Sequence, residues 1–396
     1  MGQRPKPLAG LKVLDLTRLL PGPLCTLHLA DMGADVIKIE DTGAGDYSRS
    51  LGAVKTEMSP FFHLANRNKK SVALDLRAEE GRAVFLKMAE NADIIVESFR
   101  PGVVDKLGVG YEAVKAINPR IVYCAISGYG QNGPWKDKAG HDLNYLSVAG
   151  IAEQIGGREG GPIQANFQIA DLAGGTLSAA MGILAGIVDA TRTGQGRFVD
   201  VSMTDCSFAH GIIQLASLNT FGDTLPRGRD MLTGGLPCYN IYETADGGHM
   251  GVGSLEKKFW DMVCDTLERP DLKEKHTVYG EEADLVRQEV AAIFKSKTRD
   301  EWTATFKDVD CCVTPILSMK EALEHEQIKA RNMVLTVEDP TDGPIKEAAF
   351  PIKFSEDDEN PATPAPKQGA DTEQVLSDCG LSADEIAALR DKKVIF

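Results

Sequence analysis

Two side chains set 30 residues apart in the sequence have the chemistry for proton transfer. His141 precedes Asp142 in the stretch AGHDLNYLSVAG, and Asp171 begins the small-residue run DLAGGTLSAA. Histidine and aspartate can act as general acid and base, and a neighbouring carboxylate such as Asp142 can orient or charge the imidazole. These residues are therefore candidates for the two halves of one proton-transfer site.

Each of these residues also has a structural interpretation. Aspartate is a favoured N-cap, and we expect Asp171 to cap the long helix that follows it. Free N–H groups at that helix end would stabilise a carboxylate or an oxyanion, and Gly174 and Gly175 would let a ligand approach the backbone. A lone histidine such as His141 is more often a hydrogen-bonded structural residue.

Other charged residues are weaker candidates when each is taken alone. Arg100 follows the predicted strand DIIVES, and active residues of open α/β sheets gather where strands end. The turn NRNKKS places Arg67, Lys69 and Lys70 just before a strand, which makes it the best local candidate for a phosphate contact. Glu256 is at the start of a predicted surface helix and indicates nothing by itself.

The elements that must position these residues alternate between strands and helices. Apolar runs predict strands at residues 11–16, 34–40, 71–76, 93–98, 120–127 and 197–203. Helical patterns of about 10–15 residues separate most of them, which is typical of right-handed crossovers and a largely parallel sheet. The predicted fold class is therefore α/β.

The pattern changes in the second half of the chain. GDTLPRGRD (222–230) predicts a boundary, and a hairpin around Ala245–Gly248 opens a second lobe. Residues 335–370, rich in Pro, Asp, Glu and Lys, predict a long strap, and a capping box at Ser382 and Glu385 starts a last helix. The expected domains are 1–222, 223–334 and 335–396. The glycine-rich GGREGG (156–161) lacks a flanking strand and helix and predicts a mobile loop.

The composition argues against several classes of protein. The 396 residues include 43 Lys and Arg against 58 Asp and Glu, and this net charge of −15 disfavours nucleic acids and anionic membranes as partners. We find no apolar run of ~18 residues and no apolar core of a signal peptide. The eight cysteines lack metal or disulfide spacing, so we expect free thiols, no metal and a cytoplasmic protein. Dinucleotide, P-loop, G-x-S-x-G and H-E-x-x-H motifs are absent.

Several stretches taken together resemble the class III CoA-transferases, also called the CaiB/BaiF family. They are LKVLDLTRLLPGPLCTLHLADMGADVIKIE, NRNKKSVALDL, ESFRPGVVDKLG, NPRIVYCAISGYGQNGP and DLAGGTLSAAMGILAGI. The resemblance covers residues 8–390. AGHDLNYLSVAG is similar to the His-Asp motif of one branch, the α-methylacyl-CoA racemases, and PRGRDMLTGGLPCYNIYETADGGHMGVGSLEKKFW resembles the second lobe of that branch. SPFFHLANRNKKS is more transferase-like.

The resemblance implies roles for individual residues. His141 and Asp171 would be the catalytic pair, which Asp142, Arg100 and Glu256 would orient and tune. The implied contacts to CoA are Arg18, Asn68, Lys69, Lys70, Ser98, Phe99, Lys106 and Tyr145. Asp41 departs from the pattern, because many members have a basic residue there that holds the nucleotide end of CoA. CoA is part of the substrate, so no cofactor is implied.

The resemblance implies an acyl-CoA enzyme with two alternative chemistries. A racemase would invert the α-carbon of a 2-methylacyl-CoA, with His141 and Asp171 exchanging roles and backbone N–H groups stabilising the enolate oxygen. A CoA-transferase would use Asp171 as a nucleophile on the thioester, and His141 would be incidental. A CoA-binding regulatory protein without catalysis is the non-enzyme alternative.

The resemblance also implies an architecture. It predicts a Rossmann-like large domain, a smaller α+β domain and a C-terminal return to the large domain, in an interlocked homodimer. In such a dimer, Glu256 of one chain could complete the site of the other.

Overall fold

The computed structural model of the chain describes residues 4–55, 57–355 and 362–396. It divides into two compact units. The first unit comprises residues 1–149, 165–210 and 329–396, and the second comprises 150–164 and 211–328. These bounds differ from the predicted 223 and 335. The GGREGG loop belongs to the second unit because Arg158 Nε donates to the carbonyl of Gly228 at 2.8 Å.

A six-stranded parallel sheet forms the centre of the first unit. Its strands are β1 (Lys12–Leu16), β2 (Asp35–Glu40), β3 (Lys69–Ala73), β4 (Ile94–Glu97), β5 (Val122–Ser127) and β6 (Phe198–Ser202). Their order is β3-β2-β1-β4-β5-β6, and every neighbouring pair is parallel. The predicted α/β class with a largely parallel sheet is confirmed. β3 begins two residues before its predicted start, because Lys69 already pairs with Val36.

Helices cover the sheet, so strands β1 to β5 are largely buried, although they also contain charged residues such as Lys38 and Glu97. The helices of this unit are Pro21–Asp31, Pro60–Asn66, Glu79–Ala89, Val103–Lys106, Tyr111–Ile117, Asp142–Val148, Ala170–Leu177, Ser178–Thr193, Met203–Ala209, Thr372–Asp378 and Ala383–Asp391, with a 3₁₀ turn at Tyr47–Ser50. The main core joins Leu14 and Ile95 of the sheet to Phe85, Leu376 and Leu389 of the helices. Each such side chain contributes about 1.5–3 kcal/mol when it is fully buried.

Ala170–Leu177 is a π-helix that continues into the α-helix Ser178–Thr193. The combined 24 residues contain an 18-residue window of mean hydropathy 1.5, of which 33% is buried. By length and composition alone this helix could cross a membrane, contrary to the expectation that no segment would qualify. It packs against β5 and β6, and core helices pass the same test, so this is weak evidence for a membrane span.

The second unit contains a three-stranded antiparallel sheet of β7 (Tyr239–Glu243), β8 (His249–Gly253) and β9 (Val313–Pro315). The hairpin of β7 and β8 is the one predicted around Ala245–Gly248. The helices here are Ile212–Phe221, Lys257–Thr266, Gly280–Phe294, Arg299–Phe306, Met319–Ala322 and Glu326–Ala330, which ends in the first unit, with 3₁₀ turns at Ala152–Gln154 and Pro270–Lys275 and a π-helical turn at Met231–Gly235.

The predicted strap contains regular structure that the sequence analysis missed. β10 (Val334–Asp339) and β11 (Gly343–Ala348) form an antiparallel hairpin in the first unit. Buried and exposed positions alternate along the hairpin, but some buried positions hold charged residues, so the sequence lacks the alternation of apolar and polar residues that predicts a strand. Glu347, for example, is 2% exposed and pairs with Arg67 at 2.8 Å. The last helix begins as predicted, with Ser382 and Glu385 forming a capping box. Residues 356–361 of the strap lie outside the described residues.

Candidate active site

A cavity of about 760 Å³ opens in the first unit where three strands of the sheet end. Arg18 follows β1, Ser98 follows β4 and Gly128 follows β5, and all three line the cavity. Ligands of open α/β sheets bind beyond the carboxyl ends of the strands, so this is where the fold favours a site.

His141 and Asp171 both line this cavity. His141 directly precedes the helix Asp142–Val148, and its backbone N–H donates to Asn144 Oδ1 at 3.1 Å. Asp171 lies in the first turn of Ala170–Leu177. The fold therefore brings the two candidate proton-transfer groups to one cavity from the starts of two different helices.

The prediction that Asp171 is an N-cap is wrong. The helix begins before it, at Ala170, and its N-cap Ile169 makes no side-chain hydrogen bond. Asp142 does the capping from another helix: its Oδ1 accepts the N–H groups of Ala170 at 2.7 Å and of Asp171 at 3.1 Å. Asp142 therefore holds the backbone that carries Asp171, and its predicted role in orienting His141 remains a prediction.

Burial and the carboxylate of Asp142 raise the pKa of Asp171 to about 7. Burial removes water from the charged form, and the nearby negative charge disfavours a second one. A carboxyl group with this pKa is present in both protonation states near neutral pH. It is therefore matched to giving and taking a proton there.

The π-helical turn around Asp171 packs tightly on its neighbours. A Cβ atom at Gly174 would lie 2.9 Å from the carbonyl oxygen of Met203, and one at Gly175 would lie 2.7 Å from Pro21 Cβ. The space at these two glycines is therefore filled by neighbouring residues of the protein, and not left open for a ligand as predicted. Turns of π-helix are rare in proteins overall but are often found at functional sites. This irregular start to the helix therefore fits Asp171 as a proton-transfer candidate.

Tyr145 fixes the segment that leads to His141. Its hydroxyl donates to the carbonyl of Gly140. A Cβ atom at Gly128 would lie 2.2 Å from the ring of Tyr145, and one at Gly140 would lie 2.7 Å from it. Burial and the carboxylate of Asp171 raise the pKa of this phenol, so the hydroxyl stays protonated and keeps donating. Arg100 lines the same cavity and is exposed.

Arg18 lies between two cavities. Its guanidinium donates to Tyr47 Oη at 2.6 Å and to Asp41 Oδ2 at 3.3 Å, and is 5.2 Å from the ring centroids of Tyr47 and Phe99. Arg18 and Phe99 also line a second cavity of about 280 Å³. Asp41, which departs from the family pattern, lines this second cavity and is paired with Arg18.

The second cavity is lined mainly by apolar side chains, with a few charged ones among them. Its remaining lining residues are Leu16, Ile39, Glu40, Leu74, Asp75, Leu76, Arg77, Val103 and Leu107.

A buried ion pair holds the turn that carries Arg18. Lys38 and Asp46 are fully buried and lie 2.9 Å apart. Lys38 Nζ donates to the carbonyl of Thr17 at 2.8 Å, and Asp46 Oδ1 accepts the N–H of Leu19 at 3.1 Å. Leu19 has a φ of 66°, a left-handed conformation that costs a leucine about 1–2 kcal/mol. The surrounding hydrogen bonds thus impose a strained turn on the cavity wall.

The prediction that Lys69 contacts CoA is wrong. Its ammonium is fully buried and donates to Asp15 Oδ2 at 3.1 Å, to the carbonyl of Pro23 at 2.8 Å and to Asn66 Oδ1 at 2.9 Å. Burial lowers its pKa to about 8. The ammonium joins β1 to the helices Pro21–Asp31 and Pro60–Asn66, and a phosphate cannot reach it.

The structure does not bring three further predicted contacts into either cavity. Asn68 Nδ2 donates to Asp31 Oδ1 at 2.9 Å, and its Oδ1 accepts the N–H of Thr363 at 2.8 Å. Lys70 pairs with Asp35 at 2.7 Å on the surface. Lys106 is exposed on a short helix whose neighbours Val103 and Leu107 line the second cavity. Arg18, Ser98, Phe99 and Tyr145 do line the main cavity.

Comparison with known proteins decides the family. The model of "CoA-transferase family III" matches residues 8–372. The chain belongs to this family. "Alpha-methylacyl-CoA racemase" of Homo sapiens is 34% identical, with 98% of this chain and 97% of that protein covered. "Succinyl-CoA:glutarate CoA-transferase" of Mus musculus is 32% identical, with 94% and 86% covered.

Solved structures agree with the family assignment. A CAIB/BAIF family protein from Brucella suis has a TM-score of 0.82 and 27% identity, with 95% of this chain and 100% of that chain covered. A protein from M. tuberculosis has a TM-score of 0.79 and 27% identity, with 93% and 98% covered. This family III enzyme therefore has the mixed α/β fold of its relatives, which include racemases and transferases.

Sequence reasoning missed several lining residues of this family III enzyme. Lys136 and Lys138 line the main cavity just before His141, and Gln168 does so just before the helix of Asp171. The two lysines were visible as a basic pair next to the His-Asp motif. Gln168 carries no such signal, since an exposed loop glutamine is common.

Glu256 belongs to the second unit, whereas the main cavity is lined by residues of the first. It directly precedes the helix Lys257–Thr266. Its predicted part in tuning the catalytic pair remains a prediction.

One grouping of metal-ligand side chains occurs in the described part of this family III enzyme, away from the residues that line either cavity. Ligand atoms of His63, Asp339 and Asp342 lie within 4.8 Å of one another. His63 Nε2 is 3.0 Å from Asp342 Oδ2, and Asp339 Oδ1 accepts the N–H groups of Thr341 and Asp342. These contacts join the β10–β11 turn to the helix Pro60–Asn66, so we assign no metal.

Proposed function

We propose that this protein is a racemase that inverts the α-carbon of 2-methylacyl-CoA thioesters by proton transfer between His141 and Asp171. One observation carries the proposal: His141 shares a cavity with a carboxyl group whose pKa is raised to about 7. The racemases among the relatives support it, and CoA is the handle of the substrate rather than a cofactor.

The proposed reaction moves one proton in and one proton out. One group removes the proton next to the thioester carbonyl, which leaves a planar enolate, and the other delivers a proton to the opposite face. Neutral His141 must then face protonated Asp171, or the imidazolium must face the carboxylate. Because the pKa of Asp171 is raised to about 7, this carboxyl group can take either part near neutral pH.

The enolate oxygen needs positive charge or hydrogen-bond donors. The donors expected from the sequence were the backbone N–H groups after Asp171, and that of Leu172 already donates to the carbonyl of Gln168 at 2.9 Å. The carboxylate of Asp142 already occupies the N–H groups of Ala170 and Asp171. In this proposal, the charge of Arg100 therefore stabilises the oxygen. Arg18 and Phe99, which line both cavities, contact the CoA portion.

CoA transfer is the alternative, because transferases occur among the relatives at similar identity. There the Asp171 carboxylate attacks the thioester carbonyl and expels CoA as a thiolate, forming an acyl anhydride. The raised pKa favours the racemase, since a nucleophile must be ionised and an acid–base group must visit both states.

Two variants separate these chemistries. His141→Ala is expected to abolish inversion of the α-carbon in a racemase, and with it α-proton exchange on the face that His141 serves, whereas a transferase would keep transferring CoA. Asp171→Ala should impair either enzyme and serves as the control for loss of the shared group. Loss of each general acid–base group lowers the rate by about 10²–10⁴-fold. Full α-proton exchange in His141→Ala would refute the proposal.

A further inference from the structure

The second unit contains a cluster of arginines that the proposed reaction does not use. Arg158 lies in the loop GGREGG, Arg229 lies in the segment that follows Ile212–Phe221, and Arg287 lies on the helix Gly280–Phe294. All three contact the carboxylate of Asp284: Arg229 at 3.3 Å, Arg287 at 2.8 Å, and Arg158 through a short hydrogen bond. We call these four residues the arginine cluster.

The charges of the arginine cluster do not balance. In the described part of the chain, the ion pairs of its three guanidinium groups all go to Asp284, which leaves two positive charges. Arg269, on the same unit, shows the opposite arrangement, since it contacts both Asp271 and Glu289. An excess of positive charge is unexpected in a chain whose net charge is −15.

The cluster also holds donors without acceptors. Arg287 Nε is buried and has no hydrogen-bond partner among the residues that the structure describes. A buried donor without a partner costs about 1–3 kcal/mol. Arg229 is 46% exposed and makes one contact to Asp284, so most of its donors face outward. Burial and the guanidinium groups of Arg287 and Arg229 lower the pKa of Arg158, as expected where cations crowd together.

The backbone fixes these arginines in place. Arg158 Nε donates to the carbonyl of Gly228 at 2.8 Å, and its Nη2 donates to the carbonyl of Gly234 at 2.5 Å. Gly228 has a φ of 69°, and a Cβ atom there would lie 2.8 Å from Arg158 Cγ. The loop predicted to be mobile is therefore pinned at Arg158, and the cluster is a built arrangement rather than a set of free surface side chains.

We propose that the arginine cluster binds a phosphate-bearing anion. Arginine forks bind phosphate oxygens with paired, charge-assisted hydrogen bonds. A phosphate monoester carries about −1.5 to −2 charges at neutral pH, which matches the two uncompensated positive charges. Its oxygens would accept from the donors of Arg229, whose side chain is 46% exposed, beside the excess positive charge of the cluster.

The test measures inorganic phosphate binding to the full-length protein by calorimetry, with chloride keeping the ionic strength constant. Arg229→Gln/Arg287→Gln is expected to weaken binding by at least ~10-fold, the factor for one lost charge-assisted hydrogen bond. Arg269→Gln is the matched control and should bind like wild type. Asp284→Asn should bind more tightly, because the negative charge that competes with phosphate is gone.

The single variant Arg229→Gln keeps the test valid if the double variant does not fold, since Arg229 makes one long contact and is half exposed. Adenosine 3′,5′-bisphosphate, the phosphate-rich end of CoA, identifies the source. If adenosine 3′,5′-bisphosphate binds more tightly than phosphate and this binding depends on the cluster, the natural ligand is a nucleotide. If only phosphate binds, the natural ligand is a free anion.

Equal phosphate binding by wild type and the arginine variants, or no saturable binding by wild type, would overturn the proposal. Because the experiment involves no turnover, its failure is independent of whether the protein is a racemase.

Discussion

At the scale of single residues, Asp142 caps the helix and Asp171 is the proton-transfer candidate, whereas the sequence analysis assigned both tasks to Asp171. Asp142 accepts the backbone N–H groups at the start of the helix, and Asp171 is left without a capping role. The same contact sets two carboxyl groups close together, which helps to raise the pKa of Asp171. One side chain thus both positions and tunes the other.

The raised pKa of Asp171 predicts how stability depends on pH. The folded protein binds the proton more tightly than the unfolded chain, so this stabilisation is complete below about pH 4 and is lost as the pH rises through about 7. Relative to Asp171→Asn, the free energy of unfolding of wild type should fall by up to about 4 kcal/mol between pH 4 and pH 8. Urea unfolding of both proteins measures this; parallel pH curves would contradict the assigned pKa.

The charge of Asp142 predicts a shift in the pH profile of the reaction. Asp142→Asn keeps an oxygen for both N–H groups but removes the charge, so the pKa of Asp171 should fall below about 7 and the limb of kcat that it controls should move to lower pH. Asp142→Ala also removes the cap and should lower stability by about 1–3 kcal/mol. An unchanged profile in Asp142→Asn would show that the two carboxyl groups do not interact.

At the scale of elements, the turn after β1 is held in a strained form by buried charges. Leu19 has a φ of 66°, whereas its neighbour Leu20, which also lines the cavity, has a φ of −119°. Asp46, paired with buried Lys38, holds the N–H of Leu19. The turn places Arg18 between the two cavities, so its conformation is part of substrate binding in the proposed function.

This strain predicts opposite effects at two adjacent leucines. Glycine adopts a positive φ without cost, so Leu19→Gly should be more stable than Leu19→Ala by about 0.5–1 kcal/mol. At Leu20 the order should reverse, because glycine there only adds flexibility to the unfolded chain. Thermal unfolding of the four variants measures both differences. The same order at both positions would mean that the turn is not strained.

The elements also show what the sequence could predict. Strands β1 to β6 are short runs that contain apolar residues, and helical patterns separate most of them, so the parallel sheet followed from local pattern. Lys69 and the β10–β11 hairpin did not, because their burial depends on distant partners: Asp15 lies 54 positions from Lys69, and Arg67 lies 280 positions from Glu347. For the same reason, His141 and Asp171 could be named from their motifs, but the capping of one helix by Asp142 of another could not.

At the scale of the whole molecule, one helix of the first unit exposes a row of apolar side chains. Leu177, Met181 and Val188 are 57%, 68% and 59% exposed, and their spacing places them on one side of Ala170–Thr193. The resemblance to class III CoA-transferases implied a homodimer, and a second copy of the chain would bury such a face. We therefore expect this row to lie in the dimer interface.

A homodimer predicts a solution mass of twice the 42.7 kDa of the chain. Met181→Glu places a charge in the expected interface and should shift the equilibrium toward a single chain. Met319→Glu, at a methionine of the second unit that is 77% exposed, is the matched control and should leave the mass unchanged. Light scattering at micromolar concentration measures all three proteins. The mass of one chain for wild type would contradict the dimer.

The central claim is that His141 and Asp171 move protons rather than CoA, and deuterium incorporation tests it most directly. The protein is incubated in D₂O with pure (R)- and (S)-2-methylacyl-CoA, with succinate, formate or carnitine in parallel tubes. Mass spectrometry and chiral chromatography then follow α-deuterium, the ratio of enantiomers and any new thioester. We predict α-deuterium with loss of optical purity from either enantiomer and no new thioester. A new thioester with the α-proton retained would contradict the account and make Asp171 a nucleophile.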